Sequence, residues 1–261
     1  QYRKIRNTFR FLLANVNDLE ALRPLEELGE LDRWILAEAG EVFASVKDSF
    51  DAYEFARGFA RLNHFLTNEL SGIYMDICKD RLYCDAPDAP TRRGAQTAMA
   101  MIARSMLALV APTLTYTADE VLDYAPAVVK GEWGDVFEML YEPLPEVAMP
   151  FDDALLGAAR EAFSEEVDRL KKEKLIKSTL ELEIAGPVEM LPMSDPKDLE
   201  DWFVVSALKS ESEGEELGSF SVDDLRFTIH RATAHKCPRC WRYTAPEEGA
   251  LCERCAEVLN A

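Results

Sequence analysis

Apolar residues recur at intervals of three and four along the first half of the chain, which is the spacing of helices that bury one face. The first predicted helix covers residues 2 to about 20 and places five apolar side chains together: Ile5, Phe9, Leu12, Leu13 and Val16. The same spacing predicts long helices over about 31–50, 52–83 and 91–110, and a short helix that begins near 117. Because short connections join these helices, we predict an all-helical bundle.

The pattern changes in the second half of the chain. Prolines and glycines punctuate residues 125–151 and indicate a linker or docking loop. Beyond it we predict a helix over about 155–175, strands at 180–184, 203–208 and 227–232, a short helix over 194–202 and an acidic turn at 214–218. The predicted fold class is therefore mainly α. A helical bundle over 1–150 is followed by a small α+β domain over 151–232 and a terminal module over 233–261.

Four cysteines in the terminal module have the spacing of a metal site. Cys237 and Cys240 are separated by two residues, and eleven residues later Cys252 and Cys255 repeat that spacing. Two such pairs supply four thiolates, the closed tetrahedral set of a structural zinc finger, which leaves no open position for catalysis. We predict one structural Zn²⁺, although His235 could replace one cysteine. The alternatives are iron, or disulfides and free thiols, which a cytosolic setting disfavours.

The residues around these cysteines are basic and aromatic. Trp241 lies between Arg242 and the nearby Arg239. Aromatic faces beside guanidinium groups can stack on unpaired bases while the charges hold phosphates. We therefore predict that Arg239, Trp241 and Arg242 bind nucleic acid. For Trp241, packing against the metal loops as a small core is an equal alternative.

Charge confines such binding to a small part of the surface. The chain carries 48 Asp and Glu against 29 Lys and Arg, a net charge of −19, so most of its surface repels phosphates. From Arg226 onward six basic residues face four Glu, which makes this the least acidic part. A second candidate is the row Arg3, Arg6 and Arg10 on the first helix. Such a row could follow phosphates, but a solvated face is its commoner meaning.

The residues indicate no chemistry of their own. The sequence has no Gly-rich phosphate loop, no evident pair of catalytic carboxylates, and no nucleophile with a histidine partner, so we predict no catalytic residue. Arg104 interrupts the longest apolar stretch, about 98–111, and we predict no membrane span. Cys78 and Cys84 are expected to be packed thiols in a reduced, cytoplasmic protein. Because the chain begins at Gln1 within a helical pattern, we expect it to be a piece of a longer protein.

Several segments resemble one family, in the family's order. Residues 2–15, 74–83 and 111–120 are similar to the anticodon-binding domain of bacterial isoleucyl-tRNA synthetases. Residues 174–181 resemble the Lys-x-Ile-Gly-Ser-x-Leu-Glu run of the family's later domain, with Lys177 where glycine is usual. Lys-Cys-Pro-Arg-Cys-Trp at 236–241, with the second cysteine pair, resembles its C-terminal zinc finger. The resemblance covers the whole chain.

The family joins isoleucine to its tRNA through an aminoacyl-adenylate. The resemblance implies that this chain grips the anticodon stem-loop of tRNA(Ile), as part of a cytoplasmic, monomeric ligase. Its other implied partner is the ligase's own N-terminal catalytic domain. The resemblance assigns ATP and Mg²⁺ to that domain, whose signatures are absent from these residues, so the chain alone is expected to be inactive.

Three alternatives compete with this interpretation. Other synthetases for aliphatic amino acids share the helical bundle, although the terminal four-cysteine module favours isoleucine. The zinc finger of formamidopyrimidine-type DNA glycosylases is also similar, but those enzymes need an N-terminal Pro-Glu that Gln1-Tyr2 does not provide. The third alternative is a module whose zinc finger binds protein.

Overall fold

The computed structural model describes residues 1–260. The chain forms two compact units, one over Gln1–Met149 and a second that begins at Pro150. None of the helices within 1–260 combines the length and the apolar character needed to cross a membrane.

The first unit is helical, as the apolar spacing predicts. Its α-helices are α1 (Tyr2–Val16), α2 (Glu30–Asp51), α3 (Phe55–Phe65), α4 (Met75–Cys84), α5 (Pro90–Val110), α6 (Thr115–Tyr124) and α7 (Ala127–Lys130). Acidic residues in the first turn of α2 and Pro90 at the start of α5 fit the exposed N–H groups there. In α1 the predicted apolar face is buried apart from Leu13, which is half-buried. Thr8, which was not predicted, is buried as well.

A π-helix interrupts the helix predicted over 52–83. Residues Leu66–Tyr74 form this segment between α3 and α4. The chain stays helical throughout, but the backbone hydrogen bonds of this segment join residues five apart, where an α-helix joins residues four apart. The apolar period alone does not detect such a change. Cys78 and Cys84, on α4, are buried free thiols as predicted.

A polar network lies in the core of the first unit. The Tyr74 hydroxyl donates a hydrogen bond of 2.7 Å to the Asp32 carboxylate, and Arg81 Nη1 lies 4.0 Å from the same oxygen. All three side chains are buried. Burial raises the pKa of the Asp32 carboxyl, while Arg81 and the Tyr74 hydrogen bond oppose that rise. A Cβ at Gly94 would lie 2.6 Å from Asp32 Oδ2, so only glycine fits there without a shift.

The second unit packs one helix on a four-stranded sheet. Its helices are α8 (Asp153–Lys172), α9 (Pro196–Phe203) and α10 (Glu253–Asn260), and its strands are β1 (Leu182–Ala185), β2 (Ala207–Lys209), β3 (Glu216–Val222), β4 (Leu225–Arg231), β5 (His235–Lys236) and β6 (Tyr243–Ala245). The sheet order is β2-β1-β4-β3, with β1 parallel to β2 and the other pairs antiparallel, and β5-β6 form a separate hairpin. Phenylalanines of α8, α9 and the sheet form the core between them: Phe163, Phe203, Phe220 and Phe227.

Two predicted segments of this unit differ from the structure. The strand predicted at 203–208 is only residues 207–209, because α9 extends to Phe203 and Val204 ends it in the left-handed region. The Asp195 side chain caps this helix and Pro196 occupies its first turn. These signals favour a helix that continues to Phe203, although the apolar residues 203–208 have β propensity. The acidic turn predicted at 214–218 contains the start of β3 instead, an edge strand that tolerates charge because one side faces water.

Arg242, which the sequence predicts to bind RNA, lies inside the second unit and not at its surface. Its side chain is only 4% exposed, donates one hydrogen bond to the Val205 carbonyl, and forms an ion pair with the buried Asp201 on α9. Glu200 Oε2 lies 3.9 Å from the same guanidinium. Arg242 therefore attaches the terminal module to α9 and presents almost none of its side chain to solvent.

We predict that Tyr74→Phe destabilises the first unit by about 1–3 kcal/mol, because the buried Asp32 carboxylate loses its nearest donor. Chemical denaturation with circular dichroism measures the change. Tyr116→Phe is the matched control, since Tyr116 is 93% exposed and the same loss of a hydroxyl should have little effect. Equal stability of the two variants would contradict this account of the core.

We also predict that Arg242→Met destabilises the second unit by about 3 kcal/mol, since it leaves the Asp201 carboxylate buried without its main partner. The value lies at the lower end of the usual range because Lys197 Nζ is still 3.8 Å from Asp201. Adding Asp201→Leu should recover much of the loss in the same denaturation assay. Arg226→Met, at an exposed position, serves as the control and should leave the unfolding transition in place.

Candidate metal centre and nucleic-acid interface

The β5-β6 hairpin and α10 bring the four predicted cysteines together. Cys237 follows β5, and the chain turns so that Trp241 N–H donates to the Cys237 carbonyl over 3.0 Å. Cys237 N–H in turn donates to the Arg242 carbonyl over 2.8 Å. Cys252 immediately precedes α10, and Cys255 lies in its first turn. The local fold therefore presents one pair of sulfurs from a tight turn and the other from a helix start.

The sulfur positions fit a tetrahedral metal ion. All four ligand atoms lie within 4.8 Å of one another, and all four residues are buried. Cys240 Sγ and Cys252 Sγ are 3.8 Å apart, which matches the edge of a tetrahedron with Zn–S bonds of about 2.3 Å, roughly 3.8 Å. The four thiols are free, so disulfides do not hold this module. A four-thiolate metal centre is therefore compatible with the geometry.

The environment of the thiols favours a bound cation. Burial raises the pKa of the Cys237 thiol, but N–H groups of Cys252, Cys240 and Arg239 outweigh it and lower that pKa to about 6. For Cys240 and Cys255, burial is the main cause of a raised pKa. One thiolate thus forms readily while neighbouring thiols resist ionisation, and the positive charge of a metal ion would offset that resistance.

Trp241 is presented on the outside of this module. Its side chain is 61% exposed and its backbone has φ +66°, a left-handed conformation that orients the residue away from the turn. Lys236 Nζ lies 5.3 Å from the centroid of the ring, within cation–π range. The indole therefore does not form a small core between the metal loops, and an aromatic surface beside a cation faces solvent.

Arg239 lies against the metal centre. Its Nη1 donates to Cys255 Sγ over 3.5 Å, and the residue is half-buried. A guanidinium at this position stabilises a thiolate as well as offering charge to a ligand. The Arg239 side chain is thus partly in contact with the cysteine cluster and partly exposed to solvent.

The arginines predicted on α1 are exposed, but one of them is paired. Arg6 donates to Glu120 of α6, with Nε 3.2 Å from the carboxylate, so its charge is largely compensated. Arg6 and Arg10 border a groove between α1 and α6 of about 360 Å³, lined also by Phe9, Leu13, Ala14, Asn17, Glu120, Val121 and Tyr124. Arg3 is exposed one turn before Arg6.

Sequence reasoning missed three partners in these places. Glu120 compensates Arg6, Asp201 buries Arg242, and Lys236 lies against Trp241. The first two partners are 114 and 41 residues away in the chain, and no local pattern signals them. The sequence does carry a signal for Lys236, because this residue directly precedes the first cysteine, Cys237.

Comparison with known proteins relates this chain to tRNA ligases. Residues 32–185 match the family described as the anticodon-binding domain of tRNA ligase. All of the chain aligns with isoleucine–tRNA ligases, at 64% identity for one from a Sulfurovum species, 54% for one from a Nitratiruptor species and 52% for that of Campylobacter concisus. The chain spans 28% of the length of each of these relatives. The chain belongs to the family of tRNA ligase anticodon-binding domains.

Proposed function

We propose that this chain recognises the anticodon stem and loop of an isoleucine tRNA, as the RNA-reading part of an isoleucine–tRNA ligase. The observation that carries the proposal is the exposed Trp241 ring with the Lys236 ammonium 5.3 Å from its centroid, in a chain of this family. An unpaired loop base can stack on such a ring, and the lysine can hold the adjoining phosphate. The relatives' names supply the amino acid and hence the tRNA.

The metal of the terminal module is proposed to be a single structural Zn²⁺ held by Cys237, Cys240, Cys252 and Cys255. Four thiolates in a closed tetrahedral arrangement are the usual structural zinc set, and no ligand position is open for substrate. The ion would fix the turn that carries Trp241. Its proposed contribution is therefore to shape the RNA-binding surface and not to perform chemistry.

The α1 row is proposed as a second contact with the tRNA backbone. Arg3 and Arg10 are exposed and can meet phosphates directly. Arg6 must exchange Glu120 for a phosphate, and an exposed ion pair of this kind costs little to break. Arg239 is the proposed phosphate contact beside Trp241.

The activity of the whole ligase is proposed to lie outside these residues. Activation of isoleucine with ATP and Mg²⁺ belongs to the catalytic part of such a ligase, which is the proposed covalent partner of this chain. We propose a monomer in the cytoplasm, where thiols stay reduced and available to zinc. The chain alone is expected to bind tRNA without aminoacylating it.

We predict that Trp241→Ala weakens binding to an isoleucine tRNA transcript by roughly 5- to 150-fold, because a base–aromatic stack contributes about 1–3 kcal/mol. Fluorescence anisotropy at fixed salt measures the dissociation constant. Phe137→Ala is the matched control: Phe137 is 86% exposed, but its neighbours include Asp135 and Glu138. Equal binding by both variants would refute the stacking role, and an unmodified chain that does not bind the transcript would refute the proposed function.

We further predict that Cys237→Ser releases the metal and unfolds the terminal module alone, because so short a segment depends on its ion to fold. Metal content by mass spectrometry and amide hydrogen exchange over residues 235–260 measure the two effects. Cys84→Ser is the control, a buried thiol of the first unit that is outside the cluster. Full zinc retention by Cys237→Ser would contradict the assignment.

A further inference from the structure

Four lysines are concentrated where α8 ends. Lys171, Lys172, Lys174 and Lys177 fall within seven positions, whereas the other seven lysines of the chain are scattered over the remaining sequence. All four are exposed. We call residues 171–177 the lysine turn. With Arg169 it sets five positive charges against Glu173 and Glu181, in a chain whose net charge is −19.

These lysines differ from most others in having no acidic partner. Four lysines elsewhere form ion pairs: Lys47 with Asp51, Lys79 with Asp76, Lys197 with Glu200 and Lys209 with Glu183. None of the lysines of the lysine turn forms an ion pair with any residue from 1 to 260.

The carboxylates near the lysine turn are held by other groups. Arg169 Nη1 pairs with Glu173 over 2.7 Å. Glu181 accepts the backbone N–H of Lys177 and lies 3.9 Å from Arg231. The four ammonium groups are thus left uncompensated at the surface, where an anionic ligand can reach them.

Helix stability accounts for only part of this cluster. Cations in the last turn of a helix interact favourably with its dipole, which explains Lys171 and Lys172. Lys174 follows the last turn with φ +59°, a left-handed position where glycine or asparagine is preferred. Lys177 lies beyond the helix altogether, where the dipole has no effect. A stabilised helix end therefore does not require lysine at these two positions.

Hydrogen bonds join the lysine turn to the terminal module along two routes. Arg231, the last residue of β4, donates to the Leu175 carbonyl over 3.2 Å, and four residues later the chain enters β5. On the other side of the hairpin, Tyr243 N–H donates to Ser206 Oγ over 2.7 Å, and that hydroxyl donates to the Leu180 carbonyl. The first route reaches Leu175 within the lysine turn, and the second reaches Leu180, three residues beyond Lys177.

We infer that the lysine turn is a phosphate-binding surface that extends the RNA site of the terminal module along the ligand's backbone. The ligand class is an RNA phosphodiester chain, and the inference rests on the proposed function. Lysine ammonium groups suit this role because they bind phosphate as mobile point charges without reading bases. The lysine turn contributes affinity and position, while Trp241 meets the unpaired bases.

The test measures the salt dependence of binding to an isoleucine tRNA transcript between about 50 and about 200 mM salt. A variant with Lys174→Gln and Lys177→Gln should lower the slope of log K against log salt by roughly 1.4–1.8, the value for two lost phosphate contacts. Extending the change to Lys171→Gln and Lys172→Gln should roughly double that loss. The matched control is Lys47→Gln with Lys79→Gln, which removes two charges from paired, exposed lysines and should leave the slope unchanged.

The outcomes separate this inference from the proposed function. Thermal unfolding midpoints of all variants should stay within about 3 °C of the unmodified chain, because exposed surface changes have small effects. If the four-lysine variant keeps the slope of the unmodified chain while Trp241→Ala loses affinity, the lysine turn does not bind RNA and the proposed function stands. An equal loss of slope in the Lys47 and Lys79 control would also overturn the inference, since it would reflect total charge alone. An unmodified chain that does not bind the transcript would overturn both.

Discussion

Four cysteine sulfurs lie within 4.8 Å of one another, so they can all ionise only if a cation offsets the repulsion between their charges. If all four lost their protons, their charges would repel at close range in a buried setting, and burial already raises the pKa of Cys240. A bound metal ion would remove that repulsion and would fix the hairpin and the start of α10 against each other. The left-handed backbone at Trp241 and the exposure of its ring follow from the turn that this centre closes.

Because the chain is so acidic, its basic side chains without an acidic partner are the ones available to bind an anion. With a net charge of −19 the chain is rich in carboxylates, and Arg6 and Arg242 are each paired with one of them. A polyanion approaching such a molecule is repelled over most of the surface and attracted at a few places. In the proposed function those places are Lys236 beside Trp241, the lysine turn, and the ends of the α1 row.

The features that the sequence predicts are those with local signals. The cysteine spacing leads to the metal centre, and the periodicity of three and four leads to the helices of the first unit with boundaries close to the observed ones. Features that depend on long-range contacts escape it. Arg242 and Arg239 look alike in the sequence. In the structure Arg242 is buried in an ion pair with Asp201 of α9, whereas Arg239 is half-buried. Lys177, where glycine is usual in the family, has no positive φ, whereas Lys174 is left-handed.

The π-helix at Leu66–Tyr74 has a consequence for how this sequence tolerates change in length. The wider turns of this segment mean that α3 and α4 are offset in phase relative to a regular helix, by about 100° for each residue gained or lost. Tyr74, at the end of this segment, and Arg81, two turns later, both contact Asp32. Loss of a single residue between 66 and 74 would regularise the helix locally and at the same time rotate the hydroxyl and the guanidinium away from the carboxylate. The irregular stretch therefore sets the rotation, relative to α3, of the single helical face that carries both partners of the buried acid.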